Sequence, residues 1–210
     1  MTKSKNLPIN LILLGDPAAG KATHAKYLCG AFNMYDLDMG KELRTLSQLN
    51  KAVLGGVLKK TLEKGKLTPT QIVRKILFDK IHATPKSKGI LFDGTPKMIG
   101  EAKLVAKWLK AEKRLNPLVI YMSIPMSETI KRMTERKEDF KGKFSRRADD
   151  DKKALQNRVK YYRENISEVV KYFKSIYSFK KISSNAPVPK VRKVLVRLIN
   201  QHMRSTDKIK

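Results

Sequence analysis

Residues Gly15 to Thr23 read Gly-Asp-Pro-Ala-Ala-Gly-Lys-Ala-Thr and directly follow the apolar run Ile9-Asn10-Leu11-Ile12-Leu13-Leu14. A buried strand that ends in such a loop and opens a helix leaves backbone N–H groups unpaired at a helix N-terminus, where they and the helix dipole hold polyphosphate. Lys21 adds a mobile positive charge able to bridge β- and γ-phosphates, and Thr23 adds a hydroxyl for Mg²⁺. A second apolar run, Ile90-Leu91-Phe92, carries Asp93 as a further oxygen donor for Mg²⁺, directly or through water. Arg132 and Arg136 stand four residues apart on an expected helix opening near Ser127, so both guanidinium groups leave one face, and planar forks suit phosphate oxygens. No Ser-His-Asp or Cys-His arrangement accompanies them. Transfer of a phosphoryl group to a phosphate oxygen needs placement and charge neutralisation but no general base, and these residue types fit it.

The elements that must position these groups follow from hydrophobic pattern. Short apolar runs alternate with long amphipathic stretches, which predicts βα units and a parallel sheet covered on both faces. Five strands are expected, at Ile9 to Leu14, Met34 to Asp38, Gly89 to Phe92, Leu118 to Ile124 and Lys180 to Ser183. Right-handed crossovers place the carboxyl ends of such strands along one edge, where the loop after the first and Asp93 after the third converge. Two insertions interrupt the pattern, residues 43–67 and 137–146. The first contains Gly55-Gly56 and Gly65 and leaves through Thr68-Pro69-Thr70-Gln71, a capping box with Pro at the first helical position.

The chain has 210 residues, long enough for one substantial core, and 41% of them are apolar. No apolar stretch approaches the roughly 20 residues of a membrane span, and the N-terminal residues do not read as a cleavable signal, so a soluble, cytoplasmic, single-domain protein is expected. Cys29 is the only cysteine, expected on the inner face of the helix after the loop, and His24, His82 and His202 lack metal-ligand spacing. The net charge of +27 suggests a polyanionic partner, but Lys is scattered through nearly every segment with no basic block and no basic-aromatic interleaving. The expectation is therefore solvated surface, salt-sensitive polyanion binding and no specific nucleic-acid partner.

The strict phosphate-loop pattern places Ser or Thr immediately after the Lys, whereas here Ala22 stands there and the hydroxyl comes at Thr23. That offset, Gly-x-Pro-x-x-Gly-Lys-x-Thr, resembles the adenylate kinase family of nucleoside monophosphate kinases. Further motifs resemble the family in order: Gly40-Lys41-Glu42-Leu43-Arg44, Gly65-Lys66-Leu67, Asp93-Gly94-Thr95-Pro96-Lys97, Arg132 with Arg136, and Arg147-Ala148-Asp149-Asp150 followed by Arg158. The resemblance implies a three-layer α/β/α fold with a five-stranded parallel sheet of order 2-3-1-4-5. It makes 43–67 the monophosphate-binding segment and 137–146 a short lid, which lacks the Cys and His of a zinc ribbon. It implies ATP contacts from Gly15, Ala18, Ala19, Gly20, Lys21, Ala22 and Thr23, with Arg132 near the donor base and Ala186, in the turn Ser183 to Val188, meeting adenine through backbone. Arg136, Arg147 and Arg158 surround the transferring group beside Lys21. The acceptor falls to Met39, Gly40, Arg44, Gly94, Lys97 and Glu101, with Arg147 and Arg158.

Several positions depart from the family. Lys97 replaces an arginine fork by a point charge. Ala18 and Ala22 replace loop glycines, at a cost of about 1 kcal/mol wherever φ must be positive. Asp16 brings negative charge to the phosphate cradle. Met39 and Glu101 stand where Thr and Gln are usual, and a carboxylate, unlike an amide, only accepts. Guanine or a pyrimidine is thus a rival acceptor base, although Glu101 can equally swing to a lysine and leave recognition to backbone. The implied activity is ATP + AMP = 2 ADP by a monomer with Mg²⁺ and closing segments that exclude water. The rivals are transfer to GMP or a pyrimidine monophosphate, a nucleotide-regulated RNA-binding protein without transfer, and an ATPase indifferent to monophosphates.

Overall fold

Alternation along the apolar runs builds a sheet buried on both faces. A computed structural model describes residues 8–49, 70–135 and 152–207, apart from the side chains of 47–49, 152–155, 157, 158 and 207. Its elements, in chain order, are β1 (Leu11–Gly15), α1 (Lys21–Ala31), β2 (Met34–Asp38), α2 (Met39–Leu49), α3 (Thr70–Ala83), β3 (Gly89–Asp93), α4 (Ile99–Ala111), β4 (Leu118–Ser123), α5 (Met126–Thr134), α6 (Lys152–Ile176), β5 (Phe179–Ser183) and α7 (Val188–Asp207). The strands pair in parallel in the order β2-β3-β1-β4-β5. This is the α/β architecture and strand order implied by the resemblance.

Successive strand residues face opposite sides, so Ile12, Leu14 and Phe92 enter one core with α3, α4 and α6, while Leu11, Leu13 and Leu91 enter a second with α1 and α7. The helices supply matching stripes: Ile166, Val169 and Phe173 on α6, and Val191, Leu195 and Ile199 on α7, all buried. Strand ends differ by a residue or two from expectation. β1 begins at Leu11 instead of Ile9; at Asn10 the backbone carbonyl accepts from the Leu118 N–H, while on the side chain Oδ1 accepts from the Ile90 N–H and Nδ2 donates to the Leu115 carbonyl. At the other end β1 runs on to Gly15, whose φ of +151° lets its Cα pass the Met122 carbonyl, where an added Cβ would stand 2.3 Å away.

The register brings the carboxyl ends together. Asp38 pairs with Asp93, Leu13 pairs with Asp93, and Gly15 pairs with Met122, so β1, β2, β3 and β4 finish along one edge. Residues 43–49 of the first expected insertion continue α2. The remainder of that segment and the expected lid at 137–146 lie outside the described residues.

Candidate active site

The phosphate-loop candidate occupies the turn between β1 and α1. Gly20 takes a left-handed conformation, φ 83°, as the N-cap of α1, and no side chain caps the helix or places an acidic group in its first turn. The loop closes through the Asp16 carbonyl, which accepts from the Ala19 N–H at 3.1 Å, and Ala18 sits at φ 60°. The substitution of Ala for Gly therefore carries strain at residue 18 but none at helical Ala22. Ala19 is buried in the core beneath the loop, whereas Ala22 and Thr23 are exposed on the first turn. An uncapped helix start with free N–H groups is chemically suited to an anion.

Lys21 folds back over this turn. Its Nζ donates to the carbonyls of Gly15 at 2.7 Å and Asp16 at 2.9 Å. Burial pushes its pKa down to about 8, against the pull of Asp93, with Lys97 pushing the same way as burial. Asp93, at the end of β3, is pushed up to about 6 by burial; Lys21 opposes this, while neighbouring Asp38 and Asp36 add to it. Lys21 and Asp93 thus each act on the other's charge near the strand edge. A hard divalent cation suits oxygen donors, and Asp93, whose pKa is raised further by Asp38 and Asp36, would gain from one.

Asp16 departs from the expectation of a negative charge at the cradle. Its side chain is buried: Oδ1 accepts from Tyr121 Oη at 2.9 Å and Arg163 Nε at 3.0 Å, and Oδ2 accepts from the Ile124 N–H at 3.0 Å. Arg163 also donates through Nη2 to the Ile124 carbonyl at 3.1 Å. Burial raises the Asp16 pKa, but the bonds from Arg163, Ile124 and Tyr121 outweigh it and hold the carboxyl below the usual range. On the same turn of α6, Tyr162 Oη accepts from the Gly15 N–H at 3.4 Å. The three side chains that fasten the loop, Tyr121, Tyr162 and Arg163, were not singled out in the sequence. The signal available was Asp16 itself, a carboxylate beside an anion site that demands a cation.

Arg132 reaches the same loop from α5, which opens at Met126, one residue before the expected start. Its Nε donates to Glu128 at 2.6 Å, its Nη1 to the Ala18 carbonyl at 3.4 Å, and both Nη atoms to the Ser184 carbonyl at 3.4 Å. That joins the loop to the turn after β5, where Ala186 is exposed. Arg136 and Arg147 lie outside the described residues. Arg158 lies on α6, with its side chain outside the description.

The remaining candidates flank the edge on the β2 and β3 side. Asp38 caps α2, accepting from the Lys41 N–H at 3.0 Å, and Arg44 passes over Gly40 to within 3.9 Å of Asp38. Here a Cβ on Gly40 would stand 3.1 Å from the Arg44 guanidinium. Met39 is buried in the core. Gly94 turns the chain at φ 70°, leading to Lys97. Glu101, 4% exposed, caps α4: its Oε2 accepts from the N–H groups of Lys97 at 2.9 Å and Met98 at 3.3 Å. Burial raises its pKa against those two bonds.

Comparison with known proteins agrees with this geometry. The family model for adenylate kinase matches residues 13–178. Among similar curated proteins, an adenylate kinase of Flavobacterium psychrophilum is 30% identical over 193 residues, covering 91% of this chain and 98% of the relative. One from Azobacteroides pseudotrichonymphae is 28% identical over 196 residues, covering 93% and 100%, and one from Borrelia garinii is 26% identical, covering 91% and 98%. The family match over residues 13–178, the relatives that cover nearly the whole chain and the 2-3-1-4-5 sheet place the chain in the adenylate kinase family, as a nucleoside monophosphate kinase that transfers a phosphoryl group.

Proposed function

We propose that the chain converts ATP and AMP reversibly to two ADP in the presence of Mg²⁺, as a monomer, with ATP on the β1–α1 loop and the monophosphate on the β2–β3 side of the strand edge. The observation that carries this reading is the position of Lys21, the first residue of the uncapped α1, whose ammonium is folded back onto the Gly15 and Asp16 carbonyls of the β1–α1 loop. Polyphosphate oxygens replace the Gly15 and Asp16 carbonyls as its acceptors, and the first-turn N–H groups donate to the same phosphates. Thr23 and Asp93 would hold Mg²⁺, directly or through water, and the ion would supply charge neutralisation for the polyphosphate.

Arg132 fixes the loop and the Ser184 turn as one unit and so sets where the donor base and phosphates lie relative to each other. Arg44 and Lys97 hold the acceptor phosphate, and Arg136, Arg147 and Arg158 close on the transferring group. Met39, Gly40 and Gly94 line the acceptor. Glu101 holds the Lys97–Met98 turn by capping α4 and leaves base recognition to other groups, which removes the main argument for guanine. Lys21→Met tests the reading. Loss of a preorganised cation at the developing charge is expected to lower kcat by about 10²- to 10³-fold, with the thermal midpoint little changed. Undiminished turnover would take Lys21 out of the mechanism.

A further inference from the structure

The outer surfaces of α1 and α7 enclose a groove of about 640 Å³ whose lining contains no acidic residue. Lys193, Arg197, Asn200 and Arg204 recur along α7 at intervals of three and four residues, so they form one stripe, about 16 Å long at the rise of an α-helix. From α1, Tyr27 stands beside the stripe with 44% of its surface exposed, and the Arg192 guanidinium lies over its ring, Cζ 4.2 Å from the centroid. Arg192 Nε is buried without a hydrogen-bond partner among the described residues. Lys193 and Arg197 are like charges at a spacing that destabilises a helix, and Asp207 is the only acidic residue on α7. An anion laid along the stripe relieves that repulsion.

The chemistry of the occupant follows from what accompanies the cations. A membrane-binding helix exposes a continuous apolar face next to its charges, whereas on α7 Val191, Leu195 and Ile199 are buried against the sheet and the exposed Val188 stands at the helix start, outside the stripe, with Val196 the aliphatic side chain in the groove lining. A duplex or an acidic peptide uses the charges and has no use for the ring. A single strand uses both, stacking a base on an aromatic ring or a guanidinium plane while cations track the backbone. The sequence lacks basic-aromatic interleaving because the two components come from different helices; packing of α1 against α7 creates it. We propose that this face docks single-stranded nucleic acid, with phosphates on Lys193, Arg197 and Arg204 and a base at Tyr27 and Arg192. The groove lining includes none of the residues assigned above to phosphoryl transfer, so docking and transfer are expected to proceed together.

Fluorescence anisotropy of a labelled oligothymidylate, and of an abasic strand of equal charge, tests this with the full chain across a salt series. Three phosphate contacts predict a log–log salt slope of about −2, and Arg192→Gln, Lys193→Gln, Arg197→Gln and Arg204→Gln together are expected to weaken binding at least about tenfold and flatten the slope. Tyr27→Leu is expected to cost about tenfold on the oligothymidylate and nothing on the abasic strand. The control set Lys103→Gln, Lys107→Gln, Lys110→Gln and Lys171→Gln removes equal charge from the opposite layer and is expected to change binding by less than about twofold. ADP formation by each variant reports that it is folded, and the groove variants are expected to retain it. Equal weakening by the control set, equal affinity for the abasic strand, or tighter binding to phosphatidylserine vesicles overturns the proposal.

Discussion

Replacing Arg163 by Met is expected to destabilise the protein far more than replacing Asp16 by Asn, although both break the same ion pair. The side chain of Asp16 is 3% exposed and that of Arg163 is 38% exposed, so the two partners differ in what they lose. With Arg163 gone, a buried carboxylate keeps only Tyr121 Oη and the Ile124 N–H. Uncompensated burial of one ion-pair member costs about 3–5 kcal/mol, and the solvent already screening Arg163 puts the expected loss at the lower end, about 3 kcal/mol. With Asp16 neutralised, Arg163 turns to water, and the loss is about 1 kcal/mol, the net worth of a typical hydrogen bond. The pH dependence separates the causes. In the parent protein the Asp16 pKa is held below its ordinary value, so its contribution is present above about pH 4 and is lost as pH falls through the lower, folded value. In the Arg163→Met variant burial acts without the guanidinium, the folded pKa rises, and the penalty shrinks as acid protonates the carboxyl. Urea unfolding at neutral and mildly acidic pH measures both effects. Equal losses for the two variants, or a loss in Arg163→Met that does not shrink on acidification, would refute the account of the buried pair.

Two further perturbations read the local departures from the family. Ala18→Gly removes the strain of a non-glycine residue at φ 60° and is expected to stabilise by up to about 1 kcal/mol after the entropy of the added glycine, as checked by denaturation; a destabilised variant would contradict it. Glu101→Gln keeps an acceptor for the Lys97 and Met98 N–H groups and is expected to leave both stability and acceptor preference unchanged, whereas Glu101→Ala costs about 1 kcal/mol. A shift of preference toward AMP in the Gln variant, seen in initial rates, would return Glu101 to base recognition.

What could be read from the sequence divides along range. Lys21 and Asp93 were legible because each follows an apolar run that ends at the same sheet edge, and Arg132 because its helix starts just after such a run. The sheet itself was legible because parallel strands buried on both faces read as continuous apolar stretches. The bonding of the Asn10 side chain was not, since only the fold brings it against Ile90 and Leu115. The fastening of the loop was hidden for the same reason: Arg163 lies 147 residues from Asp16, and α6 must first pack beside β4 before the two meet. The capping role of Glu101 was legible in its place three residues into α4, although the sequence reading matched the residue only to the acceptor base or a lysine. The basic groove shows the same limit, its aromatic and cationic parts coming from opposite ends of the chain.

Transfer between two nucleotides held end to end across one strand edge leaves a stoichiometry that product analysis reads. Incubated with MgATP and AMP, the protein is expected to form ADP from both, two molecules for each AMP consumed and no free phosphate, with AMP preferred over GMP, CMP, UMP and dTMP. Release of phosphate from ATP at a rate indifferent to AMP, or no ADP at all, would contradict it.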